Sequence, residues 1–451
     1  MSLEVRGERV VVIGLGASGL AAAQVLLDRG ASVRVTESRP RTEIEAAADE
    51  AEAAGAEVLA GDHDPTHLEG ATLVVTSPGV PEHAEVIRQA RARGLRVWSE
   101  LELGARLATV PYVAVTGTNG KTTTTEMVAE AMRGAGLDAV ACGNIGHPFS
   151  LAAAEGHQAL AVEASSFQLR FHESFHPRVS VLLNLAPDHL DWHGSLARYR
   201  ESKRRIYALQ GSGDTHVGNL DDPHAASVSR EAPCPVAWFR LGRPAEGQVG
   251  YEDRALVSRL GGRRVLGTPA ASATSLRADV AAAAAAAVAF GLDAEPVGAA
   301  VTSFGPLPHR GEVVAEVNGI RFVDDSKASN PHAALAAIEG LRGAVLVAGG
   351  RSKGVDLSPL AAAIPALAGV VAIGEAADEL VAVFDGRVPV RTAGSMEEAV
   401  AEAMGMARPG ASVVLAPACA SWDMFRDYRE RGERFAAAAR ALAERAEARR
   451  A

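Results

Sequence analysis

The stretch "AVTGTNGKTTTTE" (114–126) constrains this chain more than any other. An apolar run, "YVAVT" at 112–116, leads into Gly117, Thr118, Asn119, Gly120, Lys121, Thr122 and Thr123, and a helix-compatible segment follows. The turn is shorter than the common G-x-x-x-x-G-K-[ST] phosphate loop, yet its chemistry is the same. Backbone N–H groups would surround the β- and γ-phosphates of a nucleotide, Lys121 would neutralise them, and the Thr122 hydroxyl would ligate Mg²⁺. A strand entering a helix through such a turn belongs in a parallel sheet, so the expected class is α/β.

Three segments repeat the alternation of short β-branched runs with helical periodicity. The first runs to about residue 107, with strands expected at 9–13, 33–36 and 72–76. The second opens at 112–116, has further strands near 160–163 and 179–184, and ends in the linker-like "FGPLPHR" at 304–310. The third opens on a hairpin signal, Asn318-Gly319 between "EVVAEV" and "IRFVDD", and continues with strands at 344–348, 369–373 and 412–416. Domains are therefore expected at 1–107, 108–308 and 309–451: Rossmann-like, phosphate-loop (P-loop) ATPase-like with a parallel sheet, and Rossmann-like again. The alanine-rich 277–291 reads as a buried helix. The charged helix expected from about Met424 ends in "AERAEARR", which reads as a solvated face.

Composition removes several function classes. With 55 acidic against 45 basic residues, the net charge of -10 lacks the positive field needed to hold nucleic acid or an anionic membrane. Hydrophobic residues make up 48% of the 451, enough for several cores. Cys142, Cys234 and Cys419 have no paired spacing and imply neither a disulfide framework nor a zinc motif. The first residues do not read as a signal peptide, and no run reads as a membrane span. A cytoplasmic enzyme without membrane insertion is expected, and a monomer, since no interface feature is legible.

A second glycine cluster, Gly14, Gly16 and Gly19 in "VVIGLGASGLAAA", sits between a strand and a helix, with Glu37 at the end of the next strand. This is a nucleotide-diphosphate fingerprint, compatible with a nicotinamide or flavin enzyme as much as with another nucleotide. Glu163, ending "LAVE", is placed to approach Mg²⁺ beside the phosphate loop. "NLAPDHLDWHGS" (184–195) then gathers Asn184, Asp188, His189, Asp191 and His193 in one strand-end loop, a candidate second metal or substrate site. Lys203, in "YRESKRRIY", reads by charge pattern alone as part of a solvated helix face.

The shortened loop G-T-N-G-K-T-T, "NIG" (144–146), E-x-S-S-F-Q-L and N-x-x-x-D-H-L-D-x-H occur in order, and with them the whole chain resembles the Mur ligase superfamily. These enzymes join an amino acid or peptide to a carboxylate using ATP. "VDDSKASNPHAAL" (323–335), "GGRSKGVDLSPL" and "LAPACASWDMFRDYRERGERF" are similar to members that add D-glutamate to UDP-N-acetylmuramoyl-L-alanine through an acyl phosphate.

The resemblance implies roles. Ala17, Ser18, Glu37, Ser38, Arg39 and Gly79 would bind the UDP substrate in the first domain, with Asn144 from the second. Gly117 to Thr123, Asp279, Arg310 and Asp325 would serve ATP. Thr122, Glu163, His189 and Lys203, the last converted by CO₂ to a carbamate, would hold two Mg²⁺ ions. Lys121, His189 and Lys203 would be catalytic. Lys327, Ser329, Lys353, Ser421, Trp422 and Tyr428 would form the amino-acid pocket, and two cations suit a substrate with two carboxylates. Domain closure is expected to complete the site. Asp279 and Ala282 replace family asparagines, Ser329 a threonine and Trp422 a leucine. A ligase for another amino acid, an NAD-dependent oxidoreductase and a non-catalytic ATP switch are the alternatives.

Overall fold

The computed structural model describes residues 3–270 and 273–448. Its contacts form two compact units. One runs to Leu185 and takes in Trp192–Ala270 and Ala278–Phe304; the other holds Ala186–Asp191 and the chain from Gly305 onward.

The first unit contains two sheets. Strands β1 (Arg9–Ile13), β2 (Ser32–Glu37), β3 (Glu57–Ala60), β4 (Leu73–Thr76) and β5 (Arg96–Ser99) form a parallel sheet in the order β3-β2-β1-β4-β5. Val10 to Ile13 are buried because helices cover both faces of β1, the reason its apolar run is continuous rather than alternating. Strand order reverses at β1, so a crevice opens beyond the carboxyl ends of β1 and β4.

The second sheet has nine strands: β6 (Tyr112–Thr116), β7 (Ala139–Gly143), β8 (Ala159–Glu163), β9 (Val179–Leu182), β10 (Thr215–Asn219), β11 (Val236–Phe239), β12 (Gln248–Glu252), β13 (Ala255–Ser258) and β14 (Arg264–Gly267). Their order is β14-β13-β12-β11-β10-β9-β6-β8-β7, with the β12–β13 and β13–β14 pairings antiparallel and the rest parallel. Strand β10 escaped the periodicity because His216 and Gly218 interrupt it. His216 is fully buried between the hydroxyls of Ser180 and Ser229 (2.7 and 2.9 Å), and burial pushes its pKa down to about 3.

In the other unit, β15 (Glu312–Val317), β16 (Ile320–Asp324), β17 (Ala344–Gly349), β18 (Leu367–Ile373), β19 (Val390–Ala393) and β20 (Ser412–Ala418) take the order β15-β16-β20-β17-β18-β19. The hairpin β15–β16 is antiparallel and the other pairings are parallel. Asn318 and Gly319 both have positive φ, 52° and 77°, as a two-residue type I′ turn requires.

The alanine-rich segment is a helix, Thr274–Phe290, with Val280 to Ala287 buried. The last helix is Tyr428–Ala448, starting a turn later than its charge pattern implies. One of its arginines is no surface residue: Arg431 is buried and donates to Ser326 Oγ, Ser326 O and Cys419 O at 2.8 to 3.1 Å. Toward its end Glu444, Arg445, Glu447 and Ala448 are exposed, while Arg449 and Arg450 lie outside the described residues. Among the described residues no helix is long and apolar enough to cross a membrane.

Within the first unit the two sheets are joined through Phe149, fully buried against Tyr112 and Phe175 with ring centroids 5.2 and 6.2 Å away. A side chain on Gly104, in the helix Glu100–Leu107, would collide with the Phe149 ring. Phe149→Ala is expected to destabilise the protein by about 3–5 kcal/mol, the usual result of emptying a rigid aromatic site. Urea unfolding measures this, and a loss under about 1 kcal/mol would contradict the packing role.

Candidate functional site

The crevice at β1 and β4 is a cavity of about 420 Å³ lined by Gly14–Ser18, Glu37–Arg39, His63 and Ser77–Val80. Gly14 sits at φ 88°, and Gly19 must lack a side chain because a Cβ there would strike the Gly14 carbonyl. Glu37 Oε2 accepts Leu15 N–H at 2.7 Å and the Arg39 guanidinium at 2.8 Å, and Oε1 accepts Arg39 N–H at 3.0 Å. Burial alone would raise the Glu37 pKa. Arg39 and the two backbone N–H groups outweigh it and hold the carboxyl at about 2. Ala17, Ser18, Ser38, Arg39 and Gly79 line the same cavity. His63 and Ser77 line it too, and nothing in the sequence pattern marked them.

At the carboxyl edge of the nine-stranded sheet, β6 ends in the phosphate loop and the helix Lys121–Gly134 begins. Gly120 has φ 82°, and Asp279 presses so closely on it that a Cβ would meet the carboxylate. Asn184, after β9, locks the loop from the side: its Oδ1 accepts Asn119 N–H at 2.8 Å and its Nδ2 donates to Asn119 O at 3.1 Å. Thr118 pairs with the Tyr199 hydroxyl at 3.0 Å, and Thr123 is buried. Lys121 Nζ reaches the carbonyls of Gly117 and Thr118 at 3.0 and 2.9 Å.

Glu163 ends β8, and its buried carboxylate accepts Thr122 Oγ1 at 2.6 Å and Asn144 Nδ2 at 2.8 Å. Asn144 therefore stands beside Glu163 rather than among the residues lining the first cavity. The solvated-face reading of Lys203 is overturned. On the helix Leu196–Arg204 the buried residues Tyr199, Ser202 and Lys203 have i, i+3, i+4 spacing, which turns the lysine inward. Lys203 is 1% exposed, its Nζ donates to Gly117 O at 2.6 Å, and it lies 4.7 Å from the centre of the Tyr199 ring. Two lysine side-chain nitrogens thus meet at one carbonyl oxygen.

No group of three or more His, Cys, Asp or Glu side chains that could hold a metal occurs among the described residues. A hydroxyl and one carboxylate at a phosphate loop nevertheless suit Mg²⁺, which takes few protein oxygens and fills its octahedron with phosphate and water.

The loop after β9 divides. His193 stays with the first unit, buried, 2.9 Å from Ser166 Oγ and stacked on Phe167, so it serves packing. Asp188, His189 and Asp191 go with the second unit. There Asp188 accepts His189 N–H at 2.9 Å, buried Lys353 Nζ at 2.8 Å and Asn330 Nδ2 at 3.1 Å, and His189 adopts φ 52°. Asp188 was legible only as one acid of a crowded loop; its pairing with Lys353, 165 residues away, was not. Lys327 Nζ lies 3.8 Å from the centre of the Tyr428 ring, Ser421 is buried, Ser329 is half-buried and Trp422 is 67% exposed. Burial pushes Asp325 up to about 7; Arg310 opposes this and Asp324 adds to it.

Comparison with known proteins finds family likeness along the chain. The Mur ligase MurD-like N-terminal domain matches residues 8–99, the Mur ligase middle domain 115–257, and the Mur ligase glutamate ligase domain 309–419. The UDP-N-acetylmuramoylalanine–D-glutamate ligase of Frankia casuarinae is 42% identical over 98% of this chain and 95% of its own length. That of Streptomyces coelicolor is 41% identical over 98% and 100%. Among solved structures, MurF from Acinetobacter baumannii (TM-score 0.62, 16% identity, covering 97% and 93%) shares the fold. So does MurF from Thermotoga maritima in complex with ADP (0.60, 17%, 98% and 96%).

Asp325 carries a consequence for stability. Its pKa is pushed from the ordinary 3.8 up to about 7, so the folded chain holds the proton more tightly. The associated stability is present below pH 3.8 and lost as pH rises through 7. Asp325→Asn is expected to gain stability relative to wild type as pH rises from 4 to 8. A constant difference in urea midpoint across that range would refute it.

Proposed function

The chain belongs to the Mur ligase family, and from that premise we propose that it joins D-glutamate to UDP-N-acetylmuramoyl-L-alanine with conversion of ATP to ADP and phosphate. This is an acid–amino-acid ligation in peptidoglycan precursor synthesis, hence in cell-wall biogenesis. The observation that carries the reading is likeness to D-glutamate ligases at about 40% identity over nearly the whole chain.

The substrate's terminal carboxylate attacks the γ-phosphorus of ATP and the β–γ bridging P–O bond breaks, giving an acyl phosphate and ADP. The glutamate amine, relieved of a proton by His189 acting as base once its imidazole is free of metal, then attacks the acyl carbon. The tetrahedral adduct collapses to an amide as inorganic phosphate departs. Lys121 and the N–H groups of Gly117 to Thr123 hold the phosphates and offset charge that grows on the transferring group. Asp279, Arg310 and Asp325 complete the ATP contacts. Ala17, Ser18, Glu37, Ser38, Arg39, Gly79 and Asn144 hold the UDP substrate. The Glu37 carboxylate contributes by shaping the loop, since its oxygens already bind Leu15, Ser38 and Arg39. Lys327, Ser329, Lys353, Ser421, Trp422 and Tyr428 receive D-glutamate.

Thr122, Glu163, His189 and Lys203 would ligate two Mg²⁺ ions, which neutralise phosphoryl charge when bound. For Lys203 this requires the neutral amine to add CO₂ and release a proton, leaving a carbamate. Its burial 2.6 Å from the Gly117 carbonyl supports that reading, because it sets the amine at the phosphate loop, where the metal ions would bind. We assign the UDP, ATP and amino-acid roles to domains 1–107, 108–308 and 309–451, and propose a cytoplasmic monomer.

ADP release from Mg²⁺-ATP with UDP-N-acetylmuramoyl-L-alanine, compared with D-glutamate, L-glutamate and no amino acid, tests the function when product mass is also read. Turnover with L-glutamate alone would reject the pocket reading, and turnover with neither isomer the function itself. Lys121→Ala should lower turnover by about a hundredfold or more while leaving UDP-substrate binding intact. Lys203→Ala should be inactive and recover in part with formate or acetate, which can place a carboxylate in the vacated space. Full activity without an added carboxylate would remove the carbamate.

A further inference from the structure

Gly432 lies inside the helix Tyr428–Ala448, where glycine is the poorest ordinary helix former. The reason lies on the inner face: a Cβ at this position would collide with His309 Nδ1 and Asp324 Oδ2. Those two atoms are 2.7 Å apart, with Asp324 fully buried and His309 16% exposed. His309 holds φ 60°, a left-handed backbone that a residue with a side chain keeps only when its surroundings impose it. Its carbonyl accepts Lys327 N–H at 3.2 Å, and its ring meets Tyr428 edge-on at 6.1 Å. The second Asp324 oxygen accepts Ser326 N–H at 2.9 Å. The pair is pinned from several sides, which is more restraint than one surface loop needs.

We propose that the His309–Asp324 pair is a positioning clamp for Arg310 and Asp325, through which His309 governs the use of ATP; the inference rests on the ligase reading above. Each member of the clamp immediately precedes in the chain one of the two residues assigned to ATP in this unit, and Arg310 and Asp325 lie close enough to act on each other's charge. With the imidazole held by Asp324, the backbone at 309 keeps its left-handed turn and the chain leaves toward Arg310 in one direction. Releasing the imidazole lets residue 309 relax to negative φ and swings Arg310 away. His309 is thus a positioning residue, and the helix glycine is the space its ring and partner occupy.

The test is a double-mutant cycle on His309→Ala and Arg310→Ala, read by equilibrium binding of a non-hydrolysable ATP analogue and by steady-state kinetics. His309→Ala is expected to weaken analogue binding and raise KM for ATP about tenfold or more, with KM for the UDP substrate within about twofold. Adding it to Arg310→Ala should cost nothing further. His309→Asn, which tolerates a left-handed backbone and offers Asp324 an amide donor, should recover most of the loss. Additive losses, or His309→Ala binding equal to wild type, would overturn the clamp. So would wild-type analogue binding by Arg310→Ala, since the clamp would then have no target. If His309→Ala fails to fold, Gly432→Ala, which pushes on the same pair, takes its place with the same expectation. Absence of ligation by the wild type would defeat the ligase reading alone, because the binding cycle reads the clamp without it.

Discussion

The side-chain nitrogens of Lys121 and Lys203 converge on the carbonyl oxygen of Gly117, at 3.0 and 2.6 Å. Much of the first unit is arranged to make that convergence possible. Strand β6 aims the carbonyl, Gly120 turns the chain at positive φ into the helix that carries Lys121, and a helix from beyond β9 delivers Lys203 from the other side. Asn184 and Tyr199 hold the loop, while Glu163 and Asn144 approach from β8 and the end of β7. One carbonyl oxygen thus orders two lysine side chains that lie far apart in the sequence.

The first sheet shows why a glycine fingerprint identifies a site more surely than a ligand. A parallel sheet whose strand order reverses at β1 creates a crevice, and Gly14 and Gly19 let the backbone turn tightly enough to wall it. In a dinucleotide enzyme the acid at the end of the second strand faces a ribose. Here Glu37 faces its own loop, with both oxygens engaged and the carboxyl held ionised by Arg39 and two N–H groups.

Buried charge organises the second unit as well. Asp188 gathers Lys353 and Asn330, Arg431 ties Ser326 to Cys419, and Asp324 seats His309 under a glycine in the last helix. Each group would be expensive to bury alone and is satisfied by partners far away in sequence. Such networks specify one arrangement of loops at the carboxyl edge of β16, β17 and β20, which carries several of the residues assigned to ATP and glutamate.

Sequence alone determined what depends on neighbours in the chain. The strands at 9–13, 112–116 and 344–348, the Asn318-Gly319 hairpin, the alanine helix and the phosphate loop all follow from local propensity, turn chemistry and period. The loop that carries Lys121 and Thr122 is likewise written in consecutive residues. Tertiary structure decided what depends on distant partners. It buried His216 in a strand that periodicity did not mark, turned Lys203 inward from a helix that reads as solvated, and set His193 into packing. It also paired Asp188 with Lys353 and His309 with Asp324. The physical reason is that burial, and with it the strength of every charge and hydrogen bond, is a property of the folded environment rather than of residue type.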